Sequence, residues 1–549
     1  MEDKHKVKTN DFSSTISSQK KLKKNVFVVL SGIGIIGFIL RLYYLPYEIP
    51  IELDAIEYLA YSFFLSQNNQ FPIVDLPNNG WPTFLSIFFA VSNSSNFLEL
   101  TNIQRLVTIS VSVSTIVPIY LICKEYFDYR IALFGAAIFC FEPRIIINSV
   151  LGISEPIYVF LGALILACTL NRNPKLEYVA FSIAALFTLV RYEGLLILIP
   201  LSIFFFLKSS RNKRNIIKYL ILISIFVITL LPMIAIRVDT MGYDGITSHF
   251  FANVDYISDK IIQGAPDSDD PIYYGAPEKN NPLFFLSFAI MNYLEYFSLV
   301  TVPIFVFFIS LTLIYIIKNK AWKKLNHKSI LIISFFVIMS ISALFAYGRG
   351  IQETRYLYIL YPILSIISLY GLNEIFGKIS KKKILFTVLL LSIIFASVVF
   401  LEYKKINHEH QKESFEISKK IVEITDRVNS DPIDGSYLTV ISVMNRLESN
   451  SPIYESRELF RDLTKIPINS FNSLDEVIES EKLTHLVLDE SNDFPFLNDV
   501  FFNEEKYVFL KKIFDSKENG YKYHVKIFEI DYNRFYEMKE NILNDFSRK

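Results

Sequence analysis

The sequence predicts an α-helical polytopic membrane protein of about eleven spans, N-terminus in and C-terminus out, with a small α/β domain at its end. Three observations carry that expectation. Apolar runs recur through residues 25–403, the connections between them alternate in basicity, and from residue 404 the composition turns mixed and strand-like. With 52% hydrophobic residues, 49 Phe and 32 Tyr among 549 residues, the chain holds more apolar side chain than one water-soluble domain buries. Lys plus Arg and Asp plus Glu are both 55, so overall charge argues for no nucleic-acid partner. Cys123, Cys140 and Cys168 lie in or beside apolar runs and show neither a disulfide framework nor metal-ligand spacing.

Taken in order, residues 1–24 form a lysine-rich tail, and the apolar run behind it has no small-residue cleavage site, so it reads as a retained first span. Spans read at roughly 26–44, 103–122, 131–150, 156–171, 177–190, 193–208, 215–236, 299–318, 328–347, 355–376 and 384–402. The pieces at 177–190 and 193–208 are short and flank "RYEG", so they read as a hairpin. With the lysine-rich tail in the cytoplasm, the connections on that side are "KEYFDYR", "NRNPK", "KSSRNKRN", "KNKAWKKLNHK" and "GKISKKK". The most basic loops of the membrane region fall there, which sets a multi-pass cell-membrane topology with an extracytoplasmic C-terminal domain. Residues 81–91 are too short to cross and would invert every later loop, so they read as a re-entrant or surface helix. Residues 282–297 read as a second such helix.

Residues 404–549 form the extracytoplasmic α/β domain, expected to hold a polar helix at 408–429 and strands at 437–443 and 483–489. A hairpin follows across "DSKENG", and helical segments read at 453–462 and 472–481. No phosphate loop, nucleophile elbow or zinc spacing occurs in it, so a support or acceptor-docking role is expected.

The polar and unusual segments of the membrane region gather on the outer face. Residues 50–65, "IPIELDAIEYLAYSFF", place Asp54, Glu57, Tyr58 and Tyr61 on one helical face, with Leu53, Ile56, Ala60 and Phe63 opposite. The seven histidines form no HExxH and no cluster, and His249 alone lies in an outer loop of the membrane region, which disfavours a histidine triad or zinc hydrolase. Candidate bases are therefore the outer carboxylates Asp54, Glu57, Glu155, Glu193, Asp239 and Asp244. Arg144, Arg191, Arg237, Arg349 and Arg355 sit at outer helix ends. Any one could be snorkelling, but five beside acids suit an anionic ligand, because guanidinium binds phosphate bidentately. A lipid phosphate explains why such a site should lie at a bilayer. Transfer of a group from lipid phosphate to a hydroxyl fits this set, with a carboxylate taking the proton.

At these residues the sequence resembles the GT-C superfamily of integral-membrane glycosyltransferases. Within it, the resemblance is to the group holding protein O-mannosyltransferases, aminoarabinose lipid A transferases and RgtA/B/C/D-like enzymes. It rests on five stretches in order: "LDAIEYLAYSFF", "NNGWPTFLSIFF", "GISEPIYVFLGAL", "ALFTLVRYEGLLILIP" and "RYLYILYPILSI". The resemblance implies catalytic roles for Asp54 as base or acceptor-orienting acid and for Glu155, with Glu57 as a further acid. It also implies that Arg191 and Arg355 stand near the lipid phosphate, with Arg349, Tyr58 and Glu193 as further donor-binding residues. Ala55 replaces the family's common second acid, so that role would move to Glu52 or Glu57, or be absent. No WWDYG-type motif is present, which argues against transfer of a whole glycan to asparagine. No cofactor or metal is required by the resemblance, and room remains for a carboxylate-bound Mg2+ or Mn2+.

The expected partners are a polyprenyl- or dolichyl-phosphate-linked sugar, an acceptor protein, glycan or lipid, and the bilayer itself. The rival class is a membrane transporter or lipid flippase. That would want ionisable groups at mid-membrane depth, paired broken helices or an inverted repeat. Glu142 and Arg144 come nearest, but "FEPR" reads as the outer end of the third span. The loop 237–281, rich in Gly, Asp and Tyr, is expected to act as a lid over the donor.

Overall fold

In a computed structural model of the chain, the described residues are 24–51, 54–92, 94, 96–209, 212–256, 282–320, 326–405, 408–428, 437–440, 460–462, 470–481, 483–490 and 495–547. Residues 1–23, Glu52, the 257–281 part of the expected lid and 453–459 of an expected helix lie outside them. Two compact units are present. One comprises residues up to Leu45, Tyr61–Ser92 and Ile103–Lys405; the other comprises Pro46–Ala60, Asn93–Asn102 and Ile406–Lys549.

The first unit is helical, and its helices coincide with the apolar runs. Among the described residues, seven helices are long and apolar enough to cross a membrane, or eight if the bent pair Tyr129–Cys140 and Pro143–Ser149 is one span. Shorter apolar helices cover Gly80–Ser92, Glu155–Leu170 and Phe305–Asn319. Two segments differ in detail from the expected spans. Residues 282–297, expected as a surface segment, belong to a 20-residue helix, Pro282–Thr301, that passes the length and composition test. "FEPR" is a 55° bend inside the third span, because Pro143 starts a second helix there.

Arg41, at the end of the first helix (Lys24–Tyr43), holds that bend. It is fully buried and donates to Gly37 O (2.9 Å), Cys140 O (3.1 Å), Ser149 Oγ (3.1 Å) and Ser112 Oγ (3.2 Å). A guanidinium tolerates this depth only when its donors are met, and here they tie together four helices, the last of which, Pro143–Ser149, leads toward Glu155.

Ion pairs join several of the connections assigned to the cytoplasmic side. Glu177 binds Lys208 at 2.8 Å and also Lys218, while Lys328 Nζ reaches Glu125 Oε2 at 2.6 Å. The opposite helix ends carry Glu155, Arg191 and Arg355.

The second unit contains a five-stranded mixed sheet of order β2-β1-β3-β5-β4, with β1 Tyr437–Val440, β2 Phe460–Asp462, β3 Leu483–Asp489, β4 Leu510–Asp515 and β5 Val525–Ile530. β1 runs parallel to β2 and β3, and β5 is antiparallel to β3 and β4. Residues 460–462 form strand β2 where a helix was expected. The helices Glu409–Val428 and Phe471–Glu481 and the β4–β5 hairpin lie where the pattern placed them. Leu474, Leu486, Phe501, Phe509, Phe528 and Phe535 build its core.

Candidate active site

Two short 3-10 turns and one helix start deliver the charged side chains. The helix Lys175–Val190 ends at Arg191, whose extended backbone (φ −150°, ψ 125°) reverses the chain into a 3-10 turn, Tyr192–Ile197. Gly194 makes that turn fit, since a Cβ there would lie 2.8 Å from Thr188 Cα and 2.9 Å from Phe187 Cδ1. A second 3-10 turn, Thr354–Leu360, precedes the helix Tyr361–Lys378 and carries Arg355. Glu155 is the first residue of the helix Glu155–Leu170, followed by Pro156, a pairing suited to a helix N-terminus on both electrostatic and steric grounds.

These side chains meet in a recess of about 310 Å3, counting the solvent at its mouth. Arg191 Nη1 donates to Glu155 Oε1 and Arg191 Nη2 to Glu193 Oε1, each at 3.0 Å. Arg355 Nη1 lies 3.9 Å from the same Glu155 oxygen, and Arg355 Nε also pairs with Glu353. The Glu155 side chain is only 4% exposed, against 25% for Arg355, so the carboxylate sits at the back and Arg355 nearer the mouth.

Aromatic faces close the cage. The Arg191 guanidinium stands 5.8 Å from the Tyr158 ring and 5.5 Å from the Tyr356 ring, and Arg355 stands 6.0 Å from Tyr356. Tyr158 is itself stacked on Phe187 at 4.0 Å. Tyr358, also in the lining, shares a hydrogen bond with Thr354 Oγ1 at 3.0 Å. Such an arrangement can present a guanidinium fork to an anion in a site of reduced dielectric while carboxylates set its direction.

The structure therefore brings together Glu155, Arg191, Glu193 and Arg355. Arg349, at the end of the helix His327–Gly348, lies over the Phe345 ring at 5.8 Å and is not in the lining. Asp54, Glu57 and Tyr58 belong to the other compact unit, where Asp54 opens the helix Asp54–Asn68. In that helix Tyr58 and Tyr61 are buried, as is Ile56, while Ala60 is exposed, so the acid-tyrosine face and the apolar face do not divide as the spacing predicted.

The remaining outer arginines have local partners: Arg144 Nε donates to Leu299 O at 2.8 Å, and buried Arg237 donates to Leu76 O at 2.6 Å. Sequence reasoning missed Tyr158, Tyr356 and Tyr358; the "RYLY" and "EPIY" contexts held the signal, since each tyrosine neighbours a chosen charge by one to three residues. Among the described residues, no three His, Cys, Asp or Glu side chains are placed to hold a metal ion.

No family model matches the sequence, and comparison with curated proteins finds no match. Solved structures do match. The oligosaccharyltransferase of Archaeoglobus fulgidus, in complex with Zn and sulfate, superposes with a TM-score of 0.55 at 15% identity, over 84% of this chain and 68% of that one. The A. fulgidus oligosaccharyltransferase AglB with an inhibitory peptide and a dolichol phosphate gives 0.53 at 13% identity, over 84% and 69%. ArnT from Cupriavidus metallidurans bound to undecaprenyl phosphate gives 0.49 at 10% identity, over 91% and 97%. The A. fulgidus structures show that this chain shares the fold of that oligosaccharyltransferase over most of its length.

Proposed function

We propose that the chain is a membrane glycosyltransferase that moves one sugar from a polyprenyl or dolichyl phosphate to a hydroxyl of a protein, glycan or lipid on the outer face. The observation that carries this reading is the fork of Arg191 between Glu155 and Glu193, with Arg355 beside it, in a recess of a fold shared with the A. fulgidus oligosaccharyltransferase. The dolichol phosphate and peptide bound by A. fulgidus AglB support a lipid-phosphate donor and a separate acceptor.

In this reaction the acceptor oxygen bonds to the anomeric carbon as the bond from that carbon to the phosphate oxygen breaks. The electron pair leaves with the lipid phosphate, and the acceptor proton passes to a carboxylate. Asp54 is the proposed base, with Glu57 as its substitute. Arg355 and Arg191 meet the charge that builds on the leaving phosphate, which is where preorganised donors lower a barrier most. Glu155 and Glu193 keep Arg191 aimed, and Arg349 and Tyr58 remain outer binding candidates. Glu155 and Glu193 each commit an oxygen to Arg191, and no step here is routed through a metal.

Single-turnover transfer from radiolabelled polyprenyl-phosphate hexoses, comparing wild type with Asp54→Asn, tests the reading. Transfer by wild type and a loss of about 10²-fold or more in the variant are expected. Full transfer by Asp54→Asn would move the base to Glu57 or Glu155, and no turnover by folded wild type with any donor would overturn the reading.

A further inference from the structure

Behind the Arg191–Gly194 turn stands a second cluster, with Asp75 at its centre. His249 Nε2 lies 3.2 Å from Asp75 Oδ1, and Arg237 Nη2 lies 3.6 Å from the same oxygen. Partial burial pushes the Asp75 carboxyl up, but hydrogen bonds from Tyr243 and His249 and the charges of His249 and Arg237 outweigh it and hold it below its ordinary value. Gly245 crosses directly over Arg237. Its φ is +69°, and a Cβ would come within 1.9 Å of the guanidinium, so only glycine allows the crossing. The helix Thr247–Tyr256 starts two residues later, capped by Asp244, which accepts from Thr247 N at 2.7 Å and Ser248 N at 3.1 Å.

This cluster sets the His249 ring against Tyr192, with centroids 6.0 Å apart and planes 28° apart, within the range of a favourable aromatic pair. Tyr192 N also donates to Asn78 Oδ1 at 3.4 Å. Tyr192 is the residue between Arg191 and Glu193. His249 is absent from the recess lining.

We propose that His249 is a positioning residue: oriented by Asp75, its ring braces Tyr192 and so keeps the turn that aims Arg191 and Glu193 into the recess. The inference rests on the transfer reaction proposed above for its kinetic consequence, and on the turn itself for its structural one. A misplacement of catalytic groups by a fraction of an ångström lowers turnover more than it lowers binding of a large lipid donor.

The test uses the full-length chain in membranes, with polyprenyl-phosphate hexose as donor and amide exchange across residues 191–197 as a second readout. His249→Ala is expected to lower kcat about tenfold with donor KM changed by less than about threefold, and to speed exchange in the turn. His249→Phe keeps a ring over Tyr192 but loses the Asp75 contact, and is expected to recover most, though not all, of both. Wild-type kcat and exchange in His249→Ala overturn the inference, and so does a His249→Phe as defective as His249→Ala. Should His249→Ala not fold, Tyr192→Ala removes the other half of the pair, and the same two readouts at wild-type values overturn the inference. Failure of the transfer reading looks different: wild type then moves no sugar, while turn exchange still decides the bracing.

Discussion

The cluster around Arg191 in the membrane unit and the one around Lys512 in the C-terminal unit are assembled from the same charges. Lys512 Nζ reaches Glu504 Oε1 and Glu518 Oε1 at 3.0 Å each, Lys526 Nζ reaches Glu504 Oε2 at 2.9 Å, and His524 Nε2 lies 3.0 Å from Asp515 Oδ1. That network closes on the β4–β5 hairpin. Its Glu518 carboxylate is 66% exposed, so water screens the pairing, and the cations are lysines. Around Arg191 the cations are arginines over tyrosine faces, the shared carboxylate is 4% exposed, and the donors turn toward a recess. Pairing distance alone does not separate a staple from a site; the shape of the cation, its burial and an open side do.

The sharpest way to break that comparison is to exchange the cation. Arg191→Lys cannot fork to two carboxylates at 3.0 Å each while lying between two rings. Transfer is expected to fall about 10²- to 10³-fold in a folded protein, whereas Lys512→Arg leaves transfer unchanged. Equal effects of the two exchanges on single-turnover transfer would erase the distinction. Arg191→Ala goes further, leaving the buried Glu155 without its nearest cation at a cost of about 3–5 kcal/mol, read as a lower Tm of the purified protein.

A smaller effect is expected from the backbone beneath the site. Gly194→Ala adds a methyl 2.8 Å from Thr188 Cα, and backbone cannot move aside as a side-chain end would. Destabilisation of about 1–3 kcal/mol is expected, together with reduced transfer, because the turn carries both Arg191 and Glu193. The matching change in the C-terminal unit is Gly520→Ala. It meets no atom within 4 Å and strains only its φ of +85°, so it lowers Tm and leaves transfer alone. Loss of transfer in Gly520→Ala would make the hairpin part of the site.

Much of the fold was legible because membrane helices announce themselves by length and apolarity, whatever they pack against. The "RYEG" break was legible because two apolar pieces too short to span flanked a charged turn. The bend at Glu142 was not: an apolar run looks the same whether straight or broken, and the Arg41 contacts that hold the break come from a residue about 100 positions away. Arg191, Glu155 and Arg355 were found because charge at an outer helix end needs a reason. The tyrosines escaped because 32 of them are spread along the chain and aromatic residues at helix ends are ordinary. His249 was read as a polar loop residue for want of a sequence neighbour, since its partner Asp75 lies 174 residues earlier.

The smallest expected effect separates the two kinds of buried polar group inside the C-terminal unit, by pH. His485 sits in β3, buried and opposite Glu529 on β5. Burial lowers its pKa from the ordinary 6.5, and the Glu529 charge only partly offsets that. The unfolded chain therefore takes up a proton as pH falls through 6.5 while the folded sheet does not, and stability declines from that point downward. Asp515 behaves differently. Partial burial pushes it up, but the His524 hydrogen bond and charge and the N–H groups of Lys517 and Glu518 hold it below the ordinary 3.8. Its stabilisation is complete above that value and is lost only as pH falls through the lower folded value. Amide exchange over residues 483–489 should thus show two acid steps, a shallow one starting near pH 6.5 and a steeper one below about pH 4. His485→Leu is expected to remove the first and leave the second, and His524→Ala to weaken the second alone. A profile flat from pH 7 to 5 in the wild type would mean that the sheet admits the His485 proton, and that burial there costs less than the packing around it suggests.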